Sequence, residues 1–177
     1  MNVRRITFFS AMSLDARIAG PKGEVDWLFM YQDYGLNDFF SGIDTVLIGR
    51  KTYEFMLSQE LLAYRGVTTY VFSSRLNPED YPEVTLVGEN AAGFVDDLRR
   101  KPGKGIWLVG GGELFRSLLK ANQVDEVILA VHPCLLGRGV LLLPEMAASA
   151  KLVLLEAKPY ENGLVLLRYR IRGIKQD

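Results

Sequence analysis

What most constrains this chain is the order in which apolar runs of strand length alternate with longer amphipathic segments. Strand-like runs lie at Val3 to Ala11, Thr45 to Ile48, Thr68 to Phe72, Val84 to Val87, Gly105 to Val109 and Glu126 to Val131. Helix-like segments lie between them at Asn37 to Ser41, Arg50 to Leu62, Ala91 to Arg100 and Glu113 to Ala121. A strand that is apolar at consecutive positions is buried on both faces, as in a parallel sheet covered by helices on each side, and strand–helix–strand order supplies the crossovers such a sheet needs. The pattern predicts an α/β fold: three layers, α/β/α, around a mostly parallel central sheet.

The end of the chain changes pattern. Leu152 to Tyr160 and Leu164 to Ile171 both read as extended, separated by Glu161-Asn162-Gly163. Asn-Gly supplies the positive φ angles of a tight hairpin turn, so an antiparallel pair is expected at the C-terminal edge of the sheet. Leu135 to Leu143 reads as a Leu-rich loop that turns at Gly137 and Gly139 and ends at Pro144. At 177 residues the chain suits one domain spanning residues 1–177, able to bury roughly two-thirds of its unfolded surface.

Composition narrows the partners. Lys plus Arg and Asp plus Glu each total 21, so no net field draws the molecule to nucleic acid or to an anionic membrane, and any anion site must be local. The apolar run from Ile6 behind Arg4 and Arg5 is broken by Ser13 and Asp15, which fits a buried first strand better than a signal peptide. No stretch reaches the roughly 18 apolar residues of a membrane span. With one cysteine, Cys134, no internal disulfide can form, which fits a reducing cytosol, and a cytoplasmic protein is expected. With one histidine, His132, a zinc site is not expected. His132 reads as a structural residue at a strand end.

Three strand ends carry the residues that could bind a ligand. Gly49-Arg50-Lys51-Thr52 follows a strand and opens a helix, where free N–H groups and partial positive charge meet a hydroxyl and two cations. Val109-Gly110-Gly111-Gly112-Glu113-Leu114 repeats that logic with three glycines in the turn. It is not the G-x-G-x-x-G fingerprint of a Rossmann site. Ser73-Ser74-Arg75 ends a third strand with two hydroxyls and a guanidinium, a set suited to a ribose 2′-phosphate and therefore to NADPH over NADH. In open parallel sheets ligands gather beyond the carboxyl ends of strands. Ordinary structural readings stay open at each position: a solvated helix start, a sterically required glycine turn, a polar loop.

The segment Ser13 to Gly20 leaves the first strand and could fold over a ligand as a lid. Asp26 and Asp33, farther along, are the acids that could hold or protonate a substrate ring nitrogen if burial kept one of them protonated. The alternative for both is a helix cap or a surface charge.

Taken in order, the Ser-Leu-Asp loop, Gly49-Arg50-Lys51-Thr52-Tyr53-Glu54, Ser73-Ser74-Arg75, Gly110-Gly111-Gly112, and Val124-Asp125-Glu126 leading to Pro133-Cys134-Leu135-Leu136-Gly137-Arg138-Gly139 resemble the dihydrofolate reductase superfamily. Within it they look most like the branch of the RibD C-terminal reductase domain of riboflavin biosynthesis. The resemblance implies a dihydrofolate reductase-like fold and an NADPH-dependent oxidoreductase acting on a small heterocyclic substrate. It implies that Arg50 and Thr52 hold cofactor phosphate, that Ser73 to Arg75 hold the adenosine end, and that Gly110 to Gly112 pass beneath the pyrophosphate and nicotinamide. It also implies that Ala11, Ile18 and Ala19 line the nicotinamide pocket, with Asp33 as substrate anchor and Asp26 as its rival. The folate-type Gly-Arg-Lys-Thr stands where riboflavin-pathway reductases usually carry Asp-Asp-Pro or Asp-Asn-Pro. A nucleotide-binding regulatory module and a purely interacting protein are the competing readings. A homodimer through the C-terminal strands and the Leu-rich loop is expected, because exposed sheet edges and apolar loops invite pairing.

Overall fold

A computed structural model describes residues 3–59 and 66–176. An eight-stranded sheet has the order β5-β4-β3-β6-β1-β7-β10-β9. Its strands are β1 (Ile6–Ser13), β3 (Ile43–Gly49), β4 (Thr68–Phe72), β5 (Thr85–Val87), β6 (Gly105–Gly110), β7 (Glu126–His132), β9 (Ala148–Pro159) and β10 (Val165–Gln176). Strands β1 and β3 to β7 pair in parallel, while β10 runs antiparallel to β7 and to β9. Helices α1 (Leu36–Ser41), α2 (Arg50–Ser58), α3 (Ala91–Arg100) and α4 (Gly112–Lys120) fill the connections. The α/β expectation holds. The predicted helix Arg50 to Leu62 is α2, and residues 60–62 lie outside the described residues.

The consecutive apolar residues serve two cores, one on each face. On one side Ile6, Phe8, Leu47, Ile106 and Leu108 meet Val95 and Leu98 of α3 and Leu114, Phe115 and Leu118 of α4. Phe8 and Phe115 stack with ring centroids 3.8 Å apart. On the other side Phe9, Val46, Ile48, Trp107, Ile128 and Ala130 meet Tyr53 and Met56 of α2. Alternate residues of one strand thus feed opposite layers, which is the period-two geometry of a strand buried on both sides.

Three details differ from the sequence reading. A two-stranded antiparallel sheet joins β2 (Arg17–Ala19) to β8 (Val140–Leu141), so part of the expected Leu-rich loop is strand. These runs are too short to carry a period. The hairpin β9–β10 is longer than predicted, and its turn has only Gly163 at positive φ, 87°. Gly163 N–H donates to Tyr160 O (2.9 Å) and Tyr160 N–H to Leu164 O (2.8 Å). That is a three-residue loop ending in a left-handed glycine, in place of the two-residue turn with two positive angles.

Candidate functional site

The carboxyl ends of β3, β4 and β6 lie side by side, because β3 pairs with both of the others. The three ligand-type segments therefore converge on one edge of the sheet. Gly49 and the glycine turn are in contact: a Cβ at Gly49 would sit 3.0 Å from Gly111 N and 3.3 Å from Gly110 O, and a Cβ at Gly111 would sit 3.0 Å from Thr52 Oγ1. Gly110, with φ of +130°, occupies a conformation that side chains disfavour. At Gly112 the requirement is packing, since an added Cβ would come within 2.7 Å of Pro144 Cδ. Helices α2 and α4 both begin here without a side-chain cap. Their first N–H groups are unspent by the helix and point where partial positive charge accumulates.

Beside this junction is an open cleft of about 300 Å³ lined by Arg50, Phe72, Ser73, Ser74, Arg75 and Gly88. Arg75 and Ser74 are exposed, and Arg75 has no ion-pair partner among the described residues. The Ser73 hydroxyl accepts from the N–H groups of Arg75 and Leu76 (3.1 Å each), which shapes the loop and leaves its own proton free to donate. Arg50 is not a free cation at the helix tip. Its Nη1 donates to both oxygens of Glu54, at 2.9 and 2.7 Å. Lys51 is exposed, and Thr52 is half-buried against Gly111. Glu113 is exposed and pairs with Arg116, whereas Leu114 is a core residue. At those two positions only the backbone N–H faces the edge as a helix-start donor. Val109 is half-buried on β6.

The other half of the same edge is formed by the ends of β1 and β7 and the start of β10. Ala11 pairs with Ala130 across β1 and β7, and Ile18 and Ala19 lie in β2. The expected lid is stapled. Asp15 accepts from the Ser13 hydroxyl (2.6 Å) and from the N–H groups of Leu136 (3.0 Å) and Gly137 (2.7 Å), and these bonds hold its carboxyl down at about 2. Asp15 and the β2–β8 pairing thus tie Ser13 to Gly20 to the loop after β7. Farther out, His132 is buried at the end of β7. Its Nε2 accepts from Phe29 N–H (3.1 Å) while Nδ1 faces Ala130 O (3.1 Å), which fixes the neutral tautomer with the proton on Nδ1. Trp27 and Phe29 pack on the ring with centroids 5.1 and 5.0 Å away. Burial pushes the imidazole below its usual range. His132 thus anchors the segment carrying the two candidate acids.

Those acids do not meet the condition set for them. Asp33 is exposed, and its Oδ1 accepts from Leu36 N–H (2.7 Å) and Asn37 N–H (3.3 Å), so it caps α1. Asp26 is also exposed. Sequence reasoning missed the polar group that does sit here. Asn162 Nδ2 donates to Tyr31 Oη (2.8 Å) and Tyr34 Oη (2.7 Å), joining the hairpin turn to this segment. The contact spans more than 120 residues of chain and leaves no local signal in the sequence.

Three α/β/α layers around a sheet of this order, with ligand-type turns at the carboxyl ends of β3, β4 and β6, form the dihydrofolate reductase-like fold. A protein from Shewanella sp. PV-4 ascribed to riboflavin biosynthesis superposes with a TM-score of 0.84 at 26% identity, covering 96% of this chain and 99% of that one. Dihydrofolate reductase of Enterococcus faecalis, solved with NADP(H), superposes at 0.64 with 20% identity, covering 96% and 97%. The deaminase/5-amino-6-(5-phosphoribosylamino)uracil reductase of Thermotoga maritima superposes at 0.72 with 15% identity, covering 96% of this chain and 57% of that one. In sequence, the uncharacterized protein YwjB of Bacillus subtilis is 35% identical over 169 residues, which is 92% of this chain and 96% of YwjB. Residues 4–166 match the RibD C-terminal domain, and the chain belongs to that family.

Proposed function

We propose that the protein is an NADPH-dependent reductase that transfers hydride to a small heterocyclic substrate, either pterin-like or 5-amino-6-(5-phosphoribosylamino)uracil-like, the latter in riboflavin biosynthesis. The convergence of Gly49–Thr52, Ser73–Arg75 and Gly110–Gly112 on one sheet edge carries this reading. NADPH, when bound, supplies the hydride. Thr52 and the open N–H groups at the starts of α2 and α4 suit its pyrophosphate. Ser73, Ser74, Arg75 and Arg50, which share the cleft, suit its 2′-phosphate. Gly110 to Gly112 and Val109 leave room for close approach. Ala11, Ile18 and Ala19 form an apolar wall that excludes water from the reacting carbon. Because Asp26 and Asp33 are exposed, the proton comes from solvent, and the protein's contribution is positioning and desolvation.

The test mixes protein, NADPH and a panel of dihydrofolate, pterins and aminouracil ribose phosphates, and follows absorbance of the reduced cofactor. Oxidation with one class of acceptor supports the reading. Tight NADPH binding with no oxidation selects the second one, a nucleotide-binding regulatory module, which the exposure of both acids favours. Among the described residues no helix is long and apolar enough to cross a membrane, and a cytoplasmic setting fits the reducing chemistry. A homodimer fits the edge strand β9, where Leu152, Val153, Leu154 and Leu155 are between 38% and 53% exposed. A monomer mass in light scattering rejects it.

A further inference from the structure

We propose that Glu54 is a positioning residue that holds the Arg50 guanidinium in the cleft shared with Ser73–Arg75, and so helps the protein tell a nucleotide bearing a 2′-phosphate from one without it. The inference rests on the NADPH reading above. Arg50 is the first residue of α2, and from there its side chain can turn up towards the glycine junction or run down the flank of the helix. Glu54, one turn on, takes both of its bonds from a single nitrogen, Nη1. That pairing fixes the downward course and puts Arg50 on the wall of the cleft with Ser73, Ser74, Arg75 and Gly88. Nε and Nη2 keep no partner among the described residues, so the guanidinium still has donors to offer an anion.

Two consequences follow from basic physics. A long cation already held in one rotamer loses less freedom when a phosphate binds than one that is free in solvent. Arg75, exposed and without an ion-pair partner among the described residues, must lose more. The side chains of Arg50 and Glu54 are 26% and 42% exposed, so solvent screens the pair and its influence is a few-fold at most. Glu54 is also an anion beside a proposed phosphate site. If repulsion outweighed its positioning role, removing it would tighten binding.

The experiment measures dissociation constants for NADPH and NADH by cofactor fluorescence in the wild type, Glu54→Ala, Glu54→Gln and Arg75→Ala. Positioning predicts that Glu54→Ala weakens NADPH about threefold while NADH is unchanged, and that Glu54→Gln, which keeps an acceptor, recovers part of the loss. An NADPH-to-NADH preference in Glu54→Ala equal to or above that of the wild type overturns the proposal. If Arg75→Ala loses the preference while Glu54→Ala keeps it, the error lies with Glu54 alone. If the wild type shows no preference, the NADPH reading and this inference fall together.

Discussion

The two halves of the carboxyl edge are built from different materials. The half at β3, β4 and β6 is backbone and charge: uncapped helix starts, glycines packed against each other, and two arginines on one cleft. The half at β1, β7 and β10 is side chains: Trp27, Phe29 and Tyr34, tied down by His132 and Asn162. Backbone amides and cations suit a ligand part that never varies, such as a phosphate. An aromatic wall on a long connecting segment can be remodelled without disturbing the sheet, and suits the part of a reaction that differs among relatives.

If the halves are separable, damage to one spares the other. The largest effect is expected at His132. His132→Ala removes the acceptor of Phe29 N–H and leaves a hole among Trp27 and Phe29, costing about 2–4 kcal/mol of stability in a denaturant titration. NADPH affinity at 25 °C should stay unchanged, and an equal loss in both would break the comparison. The same residue sets a pH dependence. Its folded-state protonation is depressed by burial, so its contribution is present above the unfolded value of about 6.5 and is lost as pH falls below it. The melting temperature should drop on acidification through that window, and a His132→Gln variant should lack this slope.

Gly110→Ala comes next. The φ of +130° there makes a side chain cost about 1–3 kcal/mol, and because the residue lies in the half proposed to hold the cofactor, NADPH affinity should fall with stability. Arg75→Ala leaves the fold intact and weakens NADPH about tenfold in titration, with NADH unaffected. The smallest effect belongs to Asp15. Asp15→Asn should lower the melting temperature at neutral pH, since its carboxylate accepts three bonds, from Ser13, Leu136 and Gly137. The stabilisation is present above the ordinary carboxyl value and disappears as pH falls through about 2. The gap between variant and wild type should therefore close in strong acid.

The sheet and its helices were legible because strands buried on both faces leave unbroken apolar runs, as in Val46-Leu47-Ile48, where Val46 and Ile48 join the core of Phe9 and Leu47 joins that of Phe8. The convergence of the segments proposed to hold the cofactor was legible because each is local, Gly49 to Thr52 being contiguous and Ser73 to Arg75 likewise, on strands that pair side by side. What the sequence hid was long-range. Nothing near Asp33 says whether it is buried, and nothing near Asn162 points to Tyr31. Asp15 reads as part of a mobile loop until the N–H groups of Leu136 and Gly137 are found on it. The role of Glu54 was also unread, although it sits one helical turn from Arg50 at a spacing known to pair.

A crystal structure of the protein with NADPH tests the central claim most directly. The account predicts the dinucleotide lying across the ends of β3, β4 and β6, with pyrophosphate at the N–H groups opening α2 and α4 and the 2′-phosphate against Arg75 and Arg50. Cofactor bound anywhere else on the molecule, or bound there with its 2′-phosphate in open solvent, would contradict it.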